Sequence, residues 1–592
     1  MGNQLRKYRQ PTAICLGLIV LAFLSTYPAF TGHFFAINND GDIHLARLEA
    51  LYQAFKVGHL PSLVNFIGFG HQGIAMTAMY PWLTLMIFVI PRFLFQSPML
   101  GLAVGFFLLN LFTVLNSYFL MKRLSQNKLA IWFGVILYQF NAYHFQLMFT
   151  RVALGEAFGY AFLPLIFLGL FGIWQHDRRG LLWLGLGMGL VANSHVLSLV
   201  MFVILLVLVE LVRLIQRKLT WVELRSILWS AVLALLMASY SLINMVTWLL
   251  NNHMVSPTPS LIALDPANAF TRILNNTIIE SSQGAHMGLA VSLIMLLLVI
   301  ALFTKPIGRW QVWTLAGLSI FVLAQNWLPW VIFANTPLQY FQFTMRLLTI
   351  VALFLTIGWV LLLDQQGWHR RAVTIFYSLF VILIGAGGLY QYHQQVRQNY
   401  QWALNHSQRP GFSTSPEAAK LHYLTGKNYL ANVNVMTMAD YHLKKQAGGP
   451  KITAQEKLDL HLASRLNRLT VAFDNTKAAQ FKHAKATDQQ VSFEFYQKHA
   501  QAVKLPVVGY QQVNYQVKVN QQVVTYQHVA GQLQVKLPAG KSQIVVSVAH
   551  STRHAGWLWL SVIVGLLTTA AIWIDPKRLW STLKRHSRVQ AQ

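Results

Sequence analysis

The stretch INNDGDIHLARLEAL (Ile37–Leu51) sets two carboxylates, an imidazole and a guanidinium within eight residues, Asp40 to Arg47. Carboxylates of this kind serve as general bases, and guanidinium groups hold anions. Asp42, followed by IHLARLEALYQAFK and Gly58, reads as an N-cap, a helix and its terminating glycine. Asp40 stands in an NNDG turn with no such employment; an Asx-turn residue and a chemical group fit it equally. His44 and Arg47 are one helical turn apart and share a face. A further carboxylate, Glu156 in RVALGEAFGYAFLPL, lies between apolar stretches, where a charge is costly without a partner. Arg151 is near, although five residues is poor helical registration. His195 in ANSHVLS reads as a turn residue or a ligand-binding group. Arg346 in LQYFQFTMRLL reads as a snorkelling anchor or an anion site.

The elements that must position these groups are set by composition. Of 592 residues 55% are hydrophobic and 11% charged, against roughly 25% charged in soluble chains. That composition makes a polytopic α-helical membrane protein. The net charge of +28 does not indicate nucleic acid, because the Lys and Arg residues form short clusters between apolar runs, as cytoplasmic loops do. Cys15 is the single cysteine, so neither an intrachain disulfide nor a Cys-based metal site is available.

Twelve apolar runs read as spans: Thr12–Tyr27, Leu100–Met121, Leu129–Met148, Phe158–Gln175, Leu181–Asn193, Val196–Val212, Ile227–Leu249, Met287–Phe303, Val312–Ile332, Leu347–Leu363, Val373–Tyr390 and Trp557–Ile574. The first reads as an uncleaved helix. With strict alternation all the basic clusters fall on one side, which makes that side cytoplasmic, places both termini there and locates the chain in the plasma membrane. Counting Met79–Phe95 as a span would invert the later loops. Pro81 and Pro91 bracket it, and it reads as an interfacial or re-entrant helix on the outer face. The organisation expected is a membrane domain over 1–390, an extracytoplasmic helix-plus-β (α+β) insert over 391–556, and a last helix with a basic tail over 557–592. Within the insert SPEAAKLHYL and TAQEKLDLHLASRLNRL have helical periodicity. VSFEFY, YQVKVN, QLQVKL and QIVVSV alternate as strands do, and LPAGK (Leu537–Lys541) reads as a hairpin turn. GFGHQG (Gly68–Gly73) matches a dinucleotide fingerprint, but no βαβ unit surrounds it. GLGMG in the fifth run reads as small-residue helix packing.

This topography gathers the polar candidates at one face of an apolar bundle. Acidic residues are scarce within the hydrocarbon, with Glu210 and Asp364 near its cytoplasmic edge. Ion-coupled transport usually needs ionisable groups near the midplane, so the pattern favours chemistry at the outer surface.

DGDIHLARLEAL followed by GHLP and MYP, then RVALGEA…LPL, SHVLS, QFTMRLL and a terminal LP…GY…V…LPAGK, resembles the bacterial 6-pyruvoyl-tetrahydropterin synthase-related, or YfhO-like, membrane protein family. One departure is Thr344-Met345 where that family usually has Pro-Trp. The resemblance implies the GT-C glycosyltransferase architecture, a polyprenyl-phosphate-linked sugar donor and a first-loop aspartate as base. It implies no pterin chemistry, since the His-rich zinc site of a soluble synthase is missing, and no nucleotide. On this footing Asp40 or Asp42, with Glu156, would be catalytic. His44, Arg47, Tyr80, Arg151, His195, Gln342 and Arg346 would bind substrate. Mg or Mn, if used, would lie between Asp40 and Glu156. The acceptor would be an extracytoplasmic glycan, lipid or protein. The alternative is a non-catalytic lipid-linked-glycan transporter or envelope assembly factor, which calls for a continuous polar conduit instead of a closed pocket.

Overall fold

The structure, a computed structural model, describes residues 2–255, 261–279, 281–367, 371–405, 422–433, 440–443, 481–549 and 554–574. Among the described residues seven helices are long and apolar enough to cross a membrane: Pro11–His33, Pro98–Leu124, Leu154–Trp174, Val196–Ile215, Thr344–Gln365, Arg371–Asn405 and Ala555–Trp573. Trp221–Met237 and Ser239–Asn251, bent by 71° between them, make an eighth if taken as one span.

The count of twelve is therefore corrected to seven or eight. The run Leu129–Met148 is helical only over Lys128–Gln139, about 18 Å at 1.5 Å per residue. It breaks at Asn141, whose side chain accepts the Tyr143 N–H, and resumes as a short turn and a π-helical turn, Gln146–Thr150. Arg179–Ala192, Leu289–Thr304 and Arg309–Leu323 have 14, 16 and 15 residues, short of a hydrocarbon core of about 30 Å. The proline-bracketed segment forms the short apolar helix Leu83–Phe95. Arg371–Asn405 continues well past Tyr390 as one 35-residue helix.

Helix 154–174 is the centre of the bundle. It is apolar all round after Glu156, and every residue from Leu154 to Ile173 is buried, as a helix without a polar face must be. Small residues let neighbours close on it: a Cβ on Gly187, in the GLGMG run, would lie 2.8 Å from Ile166.

The insert holds two antiparallel sheets. One runs β5 (Lys482–Ala486), β6 (Gln490–Gln497), β12 (Gly540–Val548), β8 (Tyr515–Val519), β9 (Gln522–Val524). The other runs β10 (Gln527–Val529), β11 (Gln532–Leu537), β7 (Gln501–Val508). All four stretches read as strands from alternation are strands. LPAGK is not a hairpin turn, however: β11 pairs with β7 and β12 pairs with β6 and β8, so the turn carries the chain from one sheet to the other. The two stretches read as helices fall almost wholly outside the described residues. The insert is tied to the membrane domain by β1 (Phe35–Ala36), which pairs with β4 (Tyr423–Leu424) three residues before Asn39. A second short ladder joins β2 (Leu261–Ile262) to β3 (Gln342–Phe343) in parallel, just before Arg346.

Candidate active site

Three chain segments, bearing Asp40, Arg151 and Arg346, converge on the first turn of helix 154–174. Glu156 sits there, 6% exposed, where the helix dipole favours an anion. Its Oε2 accepts from Arg151 Nη1 and its Oε1 from Arg346 Nε, each at 2.8 Å. Arg151 Nη2 in turn lies 3.6 Å from Asp40 Oδ2. The result is a continuous ion chain, Asp40–Arg151–Glu156–Arg346. Both arginines are 6% exposed, whereas the Asp40 side chain is 40% exposed. The Phe343 ring lies 5.3 Å from the Arg151 guanidinium carbon and 5.2 Å from that of Arg346, within cation–π range of both.

Local backbone delivers each group. The Asp40 N–H donates to the Arg151 carbonyl at 3.1 Å, which ties the first loop to the second. Helix Gly41–Lys56 follows and ends as the sequence suggests, with Gly58 at φ +78° and the Gly58 and His59 N–H groups bonded back to Phe55 and Ala54. The expected cap is corrected. Asp42 lies inside the first turn, Asp40 precedes it, and no side chain caps the helix. Two residues along a helix turn a side chain by about 200°, so Asp42 faces away from the ion chain. Its Oδ1 is buried with no hydrogen-bond partner. On the other arm, Thr344 uses the hydroxyl that Pro would lack: it accepts from the Leu264 N–H at 3.1 Å and donates to the Ala324 carbonyl. Arg346 Nη1 donates to the Phe341 carbonyl, and Nη2 to Gln342 Oε1 at 3.2 Å.

A second layer lies beside the chain. Arg47 Nη2 donates to the Pro81 carbonyl at 2.6 Å, and its guanidinium stacks 3.9 Å from the Tyr80 ring centroid. Arg47 Nη1 and the Leu154 N–H approach the two nitrogens of His44 at 3.0 and 3.2 Å. A neutral imidazole has one acceptor nitrogen, so it takes one of these bonds at a time. His195 Nδ1 meets the Ser198 hydroxyl at 2.8 Å and its N–H at 3.3 Å, and the ring stacks on Tyr80 with centroids 6.0 Å apart. Every candidate read from the sequence except Asp42 therefore stands in one cluster. His44 and Arg47, however, are buried behind it, 3% and 4% exposed.

Electrostatics follow the geometry. Partial desolvation, with the side chain still 40% exposed, raises the Asp40 carboxyl above its ordinary value; Arg151 offsets this, Glu156 adds to it and Arg346 offsets it further. Burial alone pushes Asp42 up to about 7. His44 is held well below its usual value by burial and by Arg47. His195 is lowered to about 4, chiefly by burial. Both imidazoles are thus neutral near pH 7. Burial would depress the Arg151 guanidinium, but Glu156 and Asp40 more than offset it and raise it.

The site's donors do not suit a resident Mg or Mn between Asp40 and Glu156. Both Glu156 oxygens already accept from guanidinium groups, and a hard cation wants several free oxygens. Among the described residues no group of three His, Cys, Asp or Glu side chains is placed to hold a metal.

Sequence reasoning missed a second ion pair. Glu49, one helical face further along 41–56, bonds Arg92 of helix 83–95, and Arg92 Nη1 also donates to Tyr429 Oη at 3.0 Å. A charge inside an apolar run was the available signal for Arg92; Tyr429 carried none.

The fold is similar to that of ArnT from Cupriavidus metallidurans bound to undecaprenyl phosphate, with TM-score 0.38 and 12% identity over 69% of this chain and 82% of that one. It is similar also to the Archaeoglobus fulgidus oligosaccharyltransferase in the apo form, with TM-score 0.37 and 12% identity over 70% of this chain and 59% of that one. At these TM-scores the likeness carries no argument about site or activity. No family model and no curated protein matches the chain.

Proposed function

We propose that the protein is a membrane glycosyltransferase of the GT-C kind, moving a sugar from a polyprenyl-phosphate-linked donor to an extracytoplasmic glycan, lipid or protein. The observation that carries this reading is the ion chain: one solvent-reached carboxylate, Asp40, set against two buried guanidinium groups locked by a third residue, Glu156. A displacement at an anomeric carbon needs both halves, a base for the incoming hydroxyl and positive charge for the departing phosphate.

In this mechanism the donor phosphate lies by Arg346 and Arg151. The acceptor oxygen bonds to the anomeric carbon as the carbon–phosphate oxygen bond breaks. The electron pair leaves with the phosphate, the proton passes to Asp40, and the carbon inverts. Glu156 acts by fixing both arginines at the angle that meets the phosphate. His195, neutral, is a polar neighbour that adds no charge. The YfhO-like motifs Tyr80, Gln342 and Arg346 fit this arrangement. A transporter would need the polar chain to continue through the bundle; the helix on which it is seated, 154–174, is buried and apolar from Ala161 to Ile173, so that path would have to run along other helices.

The test is Asp40→Asn in purified protein supplied with lipid-linked sugars. We expect a folded protein with transfer reduced about 10²–10⁴-fold, the usual contribution of a general base. Wild-type turnover would remove Asp40 from this role. Mass spectrometry of envelope glycans with and without the protein identifies sugar and acceptor, and reporter fusions near Asn39 and Arg346 check that both face outward.

A further inference from the structure

Between Arg309 and Arg346 the chain carries no charged residue. Helix Arg309–Leu323 uses the first part of this run and is too short to cross the hydrocarbon alone. The rest leads into Arg346 through two 3₁₀ turns, Trp330–Phe333 and Pro337–Phe341, and β3. Its apolar side chains are exposed: Val331 by 77%, Ile332 by 65%, and Trp327 and Leu338 by about half or more. They continue an exposed stripe on the helix before them, Val312, Leu315, Val322 and Leu323, which meets lipid in a membrane-spanning bundle. The backbone of the segment is satisfied from within, as lipid requires. The Ile332, Ala334, Thr336 and Gln339 N–H groups donate to the Pro329, Val331, Phe333 and Thr336 carbonyls at 3.0–3.1 Å. The Trp330 indole N–H donates to the Leu323 carbonyl, at the open end of the helix, at 3.0 Å. A brace holds the segment from behind. The Leu264 N–H, just past β2, donates to the Ala324 carbonyl at 3.1 Å, and the Asn326 N–H to the Leu264 carbonyl at 2.8 Å.

We propose that residues 324–341 lie in the plane of the bilayer interface on the Arg346 side, with Trp327, Val331, Ile332 and Leu338 among the acyl chains just below the headgroups. The partner is the lipid leaflet itself. Trp and Tyr favour that depth, where an apolar ring and a polar tip are both satisfied, and Trp327, Trp330 and Tyr340 supply them. The helix that follows β2, Pro266–Leu274, is of the same kind: Phe270 and Leu274, one turn apart, are both exposed. The placement reaches the ion chain because the segment ends on it. The Phe341 carbonyl accepts from Arg346 Nη1, and Gln342 Oε1 from Nη2. An element anchored in the leaflet therefore holds Arg346 near the level of the lipid phosphates. The placement stands without the transferase reading; the use of that level to receive a donor phosphate rests on it.

The experiment uses the full chain in vesicles of phosphatidylcholine and phosphatidylglycerol. Cys15→Ala removes the single native cysteine, and Val331→Cys or Leu338→Cys then takes an environment-sensitive fluorophore. Lys541→Cys, on an exposed position of β12, is the aqueous reference. Lipids spin-labelled near the headgroup or near the chain end serve as quenchers. Fluorescence at 331 and 338 is expected to be lost chiefly to the headgroup-proximal label, with none lost at 541. Quenching at 331 and 338 no greater than at 541 would put the segment in water or under protein and overturn the proposal. Stronger loss to the chain-end label would sink it into the hydrocarbon and overturn the in-plane placement. Val331→Asp/Ile332→Asp is expected to raise the lipid-linked donor concentration at half-maximal transfer severalfold, and Val331→Thr/Ile332→Thr, which adds no charge, less. If both leave half-saturation as in wild type, the link to Arg346 is wrong. If Asp40→Asn transfers sugar normally, the transferase reading fails while the quenching result keeps its meaning.

Discussion

Glu156→Gln tests the centre of the site. The substitution keeps the shape of the side chain but removes its charge and replaces one acceptor oxygen by an NH₂ donor. Arg151 Nη1 and Arg346 Nε, both 2.8 Å from Glu156 and both on residues 6% exposed, would then face one acceptor and one opposing donor. A hydrogen bond to a charged group contributes about 1.5–3 kcal/mol, so two such bonds give about 3–6 kcal/mol. Breaking one buried pair by removing one partner costs about 3–5 kcal/mol, which falls within the same range. Asp40 recovers little, because it reaches only Arg151, at 3.6 Å and partly in solvent. The assay is thermal unfolding in nanodiscs, with transfer measured alongside. We expect a lowered Tm and lost activity for Glu156→Gln, and partial recovery of Tm without activity in Glu156→Gln/Arg346→Gln, where one positive charge leaves with the negative one. The coupling between the two sites should be about 0.5–3 kcal/mol. A Tm for Glu156→Gln equal to wild type, or a double variant as unstable as the sum of the singles, would refute the claim that this carboxylate holds both arginines.

Further outcomes follow from neighbouring groups. Asp42 titrates near 7 when folded and near 3.8 when unfolded, so the stability linked to its protonated form is complete below about pH 4 and lost as pH rises through 7; Asp42→Asn should therefore gain Tm relative to wild type between pH 5 and 8, in a pH series of melting curves. Because partial desolvation raises Asp40, the acid limb of kcat/KM should lie above the ordinary carboxylate range, which a pH–rate profile reads directly. Gly155→Ala places a methyl 2.4 Å from the Tyr80 hydroxyl and about 3 Å from His195; it should cost about 1–3 kcal/mol, with part restored by Tyr80→Phe in a double-variant melt.

What the sequence discloses here depends on the range of the interaction. Glu156 and Arg346 were legible because a charge at the edge of an apolar run demands a partner, whatever that partner is. Gly58 was legible because a helix end is a local event. The choice between Asp40 and Asp42 was not, since both suit the first turn and only the position of Arg151 separates them. Span counting failed where polarity interrupts an apolar run. Hydropathy averages over Gln139, Asn141, His144 and Gln146, whereas the backbone breaks among them. LPAGK misled for a related reason: a tight turn looks the same whether the strands on either side pair with each other or with different sheets. Tyr429 left no trace, because its partner Arg92 lies 337 residues away.

Backbone strain at the site is the property least visible in the sequence, and it yields a last test. Each charged segment carries a residue of positive φ that is not glycine: Asn39 at φ 47° before Asp40, Val152 at φ 54° after Arg151, and Gln342 at φ 63° ahead of Arg346. Such conformations cost on the order of 1–2 kcal/mol for ordinary residues, and Val, being β-branched, is the least suited. They persist only where the surroundings over-determine them, and the ion chain, worth several kcal/mol by the reckoning above, is strong enough to do so. Asn39 is the place to test this, since it is exposed and Asn tolerates the left-handed region. Asn39→Gly should leave Tm within about 0.5 kcal/mol of wild type, as Gly adopts that φ freely. Asn39→Val should lower Tm and transfer together, because relaxing φ at 39 swings Asp40 away from Arg151. Were Asn39→Val to keep full transfer, the position of Asp40 would not depend on this turn, and the 3.6 Å contact with Arg151 would be incidental to catalysis.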